Sequence, residues 1–349
     1  MKRVIILGTG LVGSFIANKL FEEGKLEVST ADINENKKLN KFIMQYGGDL
    51  SDTRVLENTI RTEDIIVNAL PGFLGYQTLK TCIEMGKTIV DFSFMPEDFL
   101  ELDELAKANN AVAVCDFGFA PGICHMWAKR LEMLGADSCK IYVCGLPKKE
   151  SLEYKAVFSP IDVIEEYTRP ARYKKNNKVL TEEPFKKSYI YKLKGKTLFG
   201  FISDGLRSLL KTSKLNSVVE YTLRYKKHFE KVKYLKEDGF FDKENLSNTA
   251  KLLINKWKMT DKIKDFSFLE VVGYGGGAVK HKVMYDEHDG TNHSMARATG
   301  LPVCAMVNLI ADGETLNSGV YAPEHIAEKN NLYISIIQYL KDNGIEIKE

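Results

Sequence analysis

An α/β fold on a doubly wound parallel sheet, with a second domain of different texture after it, is predicted by three observations. The apolar run Val4-Ile5-Ile6-Leu7 leads into Gly8-Thr9-Gly10-Leu11-Val12-Gly13 and then a helical pattern. A lone acid, Asp32, closes a second apolar run 19 residues beyond Gly13. Through about residue 118, short apolar strands alternate with helical segments, which is how a parallel sheet with crossover helices reads in sequence.

Gly8 allows a tight strand-to-helix turn, Gly10 lets the backbone approach a pyrophosphate, and Gly13 lets the helix pack close to its strand. The helix N-terminus, at Leu11 and Val12, then faces the phosphates. Strand, glycine turn, helix and acid in this order are the Rossmann dinucleotide-binding fingerprint. Asp32 suits a ribose 2′-OH and repels a 2′-phosphate by ~4 kcal/mol at ~4 Å and an effective dielectric of ~20. Ile33-Asn34-Glu35-Asn36 offers no arginine to such a phosphate, so NAD is expected in preference to NADP.

The strand Val28-Ser29-Thr30-Ala31 precedes Asp32, and Ile65-Ile66-Val67-Asn68-Ala69 precedes Leu70-Pro71-Gly72. Thr88-Ile89-Val90-Asp91 follows a helix ending near Gly86, and Ala111-Val112-Ala113-Val114 precedes Cys115-Asp116. Asn68, Asp91 and Asp116 therefore mark the carboxyl edge of the sheet, where ligands bind in such folds. After Pro121-Gly122 longer strands, basic loops and aromatics begin. Lysines and tyrosines alternate through 186–196, as in a strand edge guarded by charge. A helical pattern is expected over 218–235, and Gly273-Tyr274-Gly275-Gly276-Gly277 reads as a hairpin turn because no helix follows it. From Ser294 the pattern is helical, with Leu301, Ala305, Leu309 and Ile310 on one face, a break at Gly313 and an amphipathic last helix from Pro323.

The chain of 349 residues can bury two separate cores. Its 49 basic and 47 acidic residues nearly cancel, which gives no case for a nucleic-acid partner. No run approaches the roughly 18 apolar residues of a membrane span, so no membrane partner and a cytoplasmic location are expected. Cys82, Cys115, Cys124, Cys139, Cys144 and Cys304 lack paired spacing, and His281, His288 and His293 lack ligand spacing; neither a disulfide framework nor a metal site is expected.

Several further stretches together resemble the saccharopine reductase and lysine 6-dehydrogenase family over nearly the whole chain. They are Asn68-Ala69-Leu70-Pro71, Asp91-Phe92-Ser93-Phe94, Asp116-Phe117-Gly118-Phe119-Ala120-Pro121-Gly122, and Tyr154-Lys155 with Ser159-Pro160 leading to Glu165-Glu166-Tyr167-Thr168-Arg169-Pro170-Ala171. Asp204-Gly205-Leu206-Arg207, Thr222-Leu223-Arg224 with His228, and Met295-Ala296-Arg297-Ala298-Thr299-Gly300 with Gly319-Val320 complete the set. The resemblance implies a Rossmann domain made of residues 1–118 and 295–349 and a central α+β substrate and dimerisation domain over 119–294, in a homodimer. Saccharopine reductases tend to carry an acid where this chain has Ala120, and 165–171 looks closer to the lysine dehydrogenase branch. Lys227 stands where the family usually has glycine before the histidine.

Both branches oxidise the carbon next to nitrogen at position six of a lysyl skeleton, and water then releases 2-aminoadipate 6-semialdehyde. Lysine and NAD are the preferred pair. Glutamate-forming saccharopine reduction, carboxynorspermidine dehydrogenation and an NAD-binding protein without catalysis are the alternatives. A free amine has a reference pKa of ~10.4, so a base or desolvating pocket is needed to present it neutral near pH 7. His228 is the first candidate base, since imidazole titrates in the useful range, whereas His125 packs or caps. Arg207 and Arg224 are the candidate partners of the substrate α-carboxylate, because guanidinium binds carboxylate bidentately. Asp116 and Asp91 are open between ribose, substrate ammonium and turn capping. Asn68, Ala69, Leu70, Pro71 and Ser93 are assigned to the cofactor, and Phe94, Ala120, Lys155 and Thr222 to the amino-acid substrate, through their motifs.

Overall fold

The computed structural model describes residues 1–150, 154–260 and 262–349. In chain order its strands are β1 (Arg3–Leu7), β2 (Glu27–Asp32), β3 (Met44–Gly47), β4 (Ile65–Asn68), β5 (Thr88–Asp91), β6 (Val112–Val114), β7 (Ser138–Pro147), β8 (Ala171–Lys175), β9 (Lys178–Glu182), β10 (Tyr189–Leu193), β11 (Lys196–Ile202), β12 (Ser217–Tyr225), β13 (Asp265–Gly275), β14 (Ala278–Glu287), β15 (Gly319–Tyr321) and β16 (Glu346–Lys348). The chain divides into two compact units, Met1–Met126 with Ala296–Gly344, and Trp127–Met295 with Ile345–Glu349.

The first unit is a parallel seven-stranded sheet in the order β15-β6-β5-β4-β1-β2-β3. Val4, Ile5, Ile6 and Leu7 are fully buried because β1 lies inside the sheet, which explains why it reads as an unbroken apolar run. The chain leaves β1 toward β2 on one side and resumes at β4 on the other, a topological switch point whose crevice opens at the carboxyl ends of the strands.

The second unit is a mixed sheet in the order β10-β11-β12-β7-β13-β14-β16, with β8 pairing β12 and β9. Its aromatic core includes Tyr154, Tyr167, Phe185, Phe201, Phe229 and Trp257. The glycine cluster is the turn between β13 and β14, with Gly276 and Gly277 at φ +59° and +76°, a pair of left-handed residues that suits a tight hairpin. β10 lies at the sheet edge, and its lysine–tyrosine alternation is an edge pattern.

Several expectations need correction. Residues 218–225, expected within a helix, lie in β12, and a helix (Lys226–Glu237) begins only after it. Val218, Val219, Tyr221, Thr222 and Tyr225 are β-branched or aromatic, and their alternation suits a strand paired on both sides. The expected last helix is two, Pro323–Glu328 and Asn330–Asp342, while β3 and β15 carry too few residues to announce themselves. The first unit extends to Met126 instead of 118, and residues 345–349 belong to the second unit because β16 pairs with β14. Helix Ser294–Ala311 is long and apolar enough by mean hydropathy to cross a membrane, although Arg297, Thr299 and Asn308 interrupt its apolar run, and 72% of it is buried.

Candidate functional site

The first unit builds its crevice from backbone. Gly8 sits at φ +95°, and a Cβ there would lie 2.7 Å from the Ala69 carbonyl oxygen. At Gly13 a Cβ would stand 2.0 Å from the Gly8 carbonyl oxygen, so only glycine lets helix Leu11–Glu23 approach β1 this closely. Nothing lies within 4 Å of the Cβ position at Gly10, which leaves space for a ligand. Ser14 N–H donates to the Gly10 carbonyl at 3.0 Å and starts the helical ladder. The amides of Leu11, Val12 and Gly13 precede that first bond, and such N–H groups at a helix N-terminus can receive an anion.

Asp32 ends β2 beside this turn. Its carboxylate accepts from Thr9 N at 2.7 Å, Thr9 Oγ1 at 3.1 Å and Asn34 N at 3.0 Å. Thr9, Thr30, Asp32, Asn34, Glu35, Gln45, Tyr46 and Gly47 line the adjoining cleft, with two carboxylates and no basic side chain among them.

Asn68, Asp91 and Ser93 meet, but largely with one another. Asn68 Nδ2 donates to Asp91 Oδ2 at 2.5 Å, and Ser93 donates to Asp91 Oδ1 through both N–H and Oγ at 2.8 Å. Burial pushes the Asp91 carboxyl up to about 7 against these hydrogen bonds. Leu70 N–H donates to Asn68 Oδ1, and Ala69 N–H to the Leu7 carbonyl, so these polar groups shape the loops after β4 and β5. Pro71 caps helix Gly72–Glu84. Asp116, buried at φ +54° just past β6, precedes Phe117, whose N–H donates to the Asp91 carbonyl. Phe94 and Ala120 are half-buried in the same unit, with Ala120–Pro121 cis. His125 is fully buried with Nδ1 3.4 Å from Glu324 Oε1, a packed role like the one expected for it.

In the second unit the pleat of β12 sends Glu220, Thr222 and Arg224 to one face. Arg224 donates through Nε to Tyr167 Oη at 2.9 Å, through Nη2 to Glu166 at 2.6 Å and through Nη1 to its own strand at Leu223 O at 3.0 Å. Among the described residues three of a guanidinium's five N–H donors are thereby engaged. His228 Nε2 hydrogen-bonds the same Tyr167 hydroxyl at 2.9 Å and stacks on Tyr154 at 4.0 Å between ring centroids. Burial, then the Arg224 and Lys231 charges, hold this imidazole well below its ordinary pKa. A group so hard to protonate is a poor acceptor for an ammonium proton, and the geometry gives His228 an orienting role toward Tyr167. Lys227 causes no local break, since Lys226–Glu237 is continuous helix.

A second polar string runs along β12. Thr222 Oγ1 donates to Ser203 Oγ at 2.8 Å, and Ser203 Oγ donates to Glu220 Oε1 at 2.9 Å. Burial pushes the Glu220 carboxyl up to about 8, with Glu166 and Asp204 adding negative charge. Sequence reasoning missed Glu220 and Ser203; a strand period over 217–225 would have placed Glu220 beside Thr222 and Arg224. Arg207 is buried at φ +38°, and Lys155 Nζ donates to the Lys256 carbonyl at 2.7 Å. His281 pairs with Glu270, His293 with Asp265, and His288 accepts from Gly290 N–H, so each of these three has a local partner.

Residues 4–114 match the saccharopine dehydrogenase NADP binding domain, and residues 118–345 match the saccharopine dehydrogenase C-terminal domain. The chain belongs to the saccharopine dehydrogenase family. Its first domain is a nicotinamide-dinucleotide-binding domain. The saccharopine dehydrogenase [NADP(+), L-glutamate-forming] of Pyricularia oryzae is 26% identical over 272 residues, which are 70% of this chain and 59% of that protein. The mitochondrial alpha-aminoadipic semialdehyde synthase of Bos taurus is 25% identical over 197 residues, 51% of this chain and 21% of the synthase. The chain thus spans less than two thirds of either relative. Apo saccharopine dehydrogenase (L-Glu forming) from Saccharomyces cerevisiae has the same fold, with a TM-score of 0.78 at 18% identity, covering 100% of this chain and 99% of that one. The NADP in these names does not favour the NAD expected from Asp32.

Proposed function

We propose that this chain is an amino-acid oxidoreductase acting on a CH–NH group, with saccharopine, split to glutamate and 2-aminoadipate 6-semialdehyde, as its substrate. The observation that carries the reading is the family match across 4–114 and 118–345, together with the glutamate-forming activity in the name of the fungal relative. A nicotinamide dinucleotide held in the first unit would supply the hydride acceptor. The residues of the chain bind and orient: amides 11–13 hold the pyrophosphate, Asp32 the adenosine ribose, and Arg224, with Arg207, the α-carboxylate. Loss of hydride from the carbon and of the N–H proton to solvent leaves an imine, and addition of one water breaks the C–N bond to give an aldehyde and an amine.

A second reading is oxidation of lysine itself, and two observations favour it. Ala120 stands where saccharopine reductases tend to carry an acid. Saccharopine also brings two more carboxylates than lysine, yet Arg172 is paired with Asp204 and Arg169 with Glu165. For the cofactor, the carboxylates of Asp32 and Glu35 in the adenosine cleft support NAD, against the NADP in the relatives' names. The homodimer remains part of the reading, and the mass in solution tests it.

The deciding experiment follows reduced nicotinamide absorbance with NAD or NADP and lysine, saccharopine, ornithine or carboxynorspermidine. Turnover of saccharopine is the expected result, and turnover of lysine alone selects the second reading. Silence across the panel with NADH still bound would leave a cofactor-binding protein without this chemistry.

A further inference from the structure

Glu220 is a carboxylate placed at some cost. It is 4% exposed, and its Oε2 is buried without a hydrogen-bond partner among the described residues. Buried polar atoms are nearly always paired, and an ionised carboxylate gains most from a cation. Oε1 is held in place by Ser203, which is itself fixed by Thr222 and by the backbone bond from Ser203 N–H to the Glu220 carbonyl at 3.2 Å. Residue 205 leaves the room: a Cβ on Gly205 would come within 1.9 Å of Glu220 Oε1. The strand thus presents an oriented carboxylate with one oxygen still to be matched.

Arg224 stands four residues along the same face, about 13 Å away between Cα atoms at strand rise. A cationic group and an anionic group separated along one strand suit the two ends of a lysyl skeleton, the α-carboxylate and the distal nitrogen. Resting on the amino-acid reading above, we infer that Glu220 Oε2 is the counter-ion of the substrate's distal amine nitrogen and selects an amine over a neutral group at that position. Glu220 touches substrate in this arrangement, Ser203 and Thr222 are positioning residues, and the glycine at 205 sets the carboxylate's place.

The test is calorimetric titration of wild type, E220Q and G205A with lysine, saccharopine and 2-amino-6-hydroxyhexanoic acid, which replaces the distal amine of lysine by hydroxyl. The wild type is expected to bind at least one amine tenfold or more better than the hydroxyl compound, the scale of a hydrogen bond to a charged group. E220Q should bind both kinds alike while NADH affinity holds, and G205A, which keeps the charge but fills its place, should lose most of the preference. An amine preference unchanged in both variants overturns the inference, as does a wild type that binds no amine better than the hydroxyl compound. If E220Q does not fold, as judged by circular dichroism, G205A decides alone. Hydride transfer measured in parallel separates the two claims: turnover with an unaltered preference in the variants ends this inference only, and a Glu220-dependent preference without turnover ends the proposed function only.

Discussion

In the first unit the ligand edge is made of backbone: amides 11–13 and two glycines whose added Cβ atoms would stand 2.0 and 2.7 Å from carbonyl oxygens. In the second unit the polar face of β12 is made of side chains, where Arg224 is placed by Glu166 and Tyr167, and Glu220 by Ser203. A backbone site tolerates changes of side chain except where a Cβ intrudes. A side-chain site depends on each partner, and removing one leaves another buried and unmatched.

Breaking the second kind of site should have the larger effect. Glu166→Ala leaves Arg224 with an unbalanced buried charge and is expected to cost about 3 kcal/mol in urea unfolding, since breaking a buried pair is expensive. Equal stability of Glu166→Ala and wild type would show that the network on β12 is not held as described. Gly13→Ala attacks the backbone site and should cost about 1–3 kcal/mol through overpacking, with NADH affinity falling at least as steeply in a fluorescence titration. Normal NADH affinity in that variant would place the cofactor elsewhere. Asp32→Ser should move the ratio of kcat/KM for NADP over NAD upward by about tenfold, roughly 1.4 kcal/mol, by removing a carboxylate that opposes a 2′-phosphate.

The last effect is in pH dependence, where the two units differ in sign. Asp91 has its carboxyl raised from 3.8 to about 7, so its contribution to stability is full below 3.8 and is lost as pH rises through 7. His228, lowered below 6.5, contributes above that pH and loses its contribution as pH falls through 6.5 toward its folded value. Relative to wild type, Asp91→Asn should therefore gain stability between pH 4 and 7, by at most about 1.4 kcal/mol per pH unit, and His228→Gln should gain it on acidification. Thermal melting at several pH values reads both slopes, and parallel melting curves for variant and wild type would remove the assignment.

The same contrast decides what was legible beforehand. The crevice of the first unit could be read because Gly8, Gly10, Gly13 and Asp32 act through local geometry within one strand–helix–strand stretch. The face of β12 could not, because Tyr167 lies 57 residues from Arg224 and 61 from His228, and only tertiary register brings them together. Residues 218–235 misled because a strand joined directly to an amphipathic helix carries apolar residues at spacings that fit one long helix. Asn68 and Asp91 were placed at the carboxyl edge of the sheet and Ser93 was assigned to the cofactor, but sequence could not show that their polar atoms are used on each other.

β15 carries a consequence of another kind. Gly319–Tyr321 pairs in parallel with Val112–Val114, so the sheet's edge strand is made some 200 residues after its neighbour. Such a pairing closes a very long loop, and contacts of high sequence separation form late and slowly. During synthesis the six earlier strands of that sheet stand without their edge partner while residues 127–295 of the second unit are produced, leaving β6 with an open side. The chain order is therefore interleaved: most of the second unit is made before the first sheet gains its edge strand β15, and the second sheet gains its own edge strand β16 last of all.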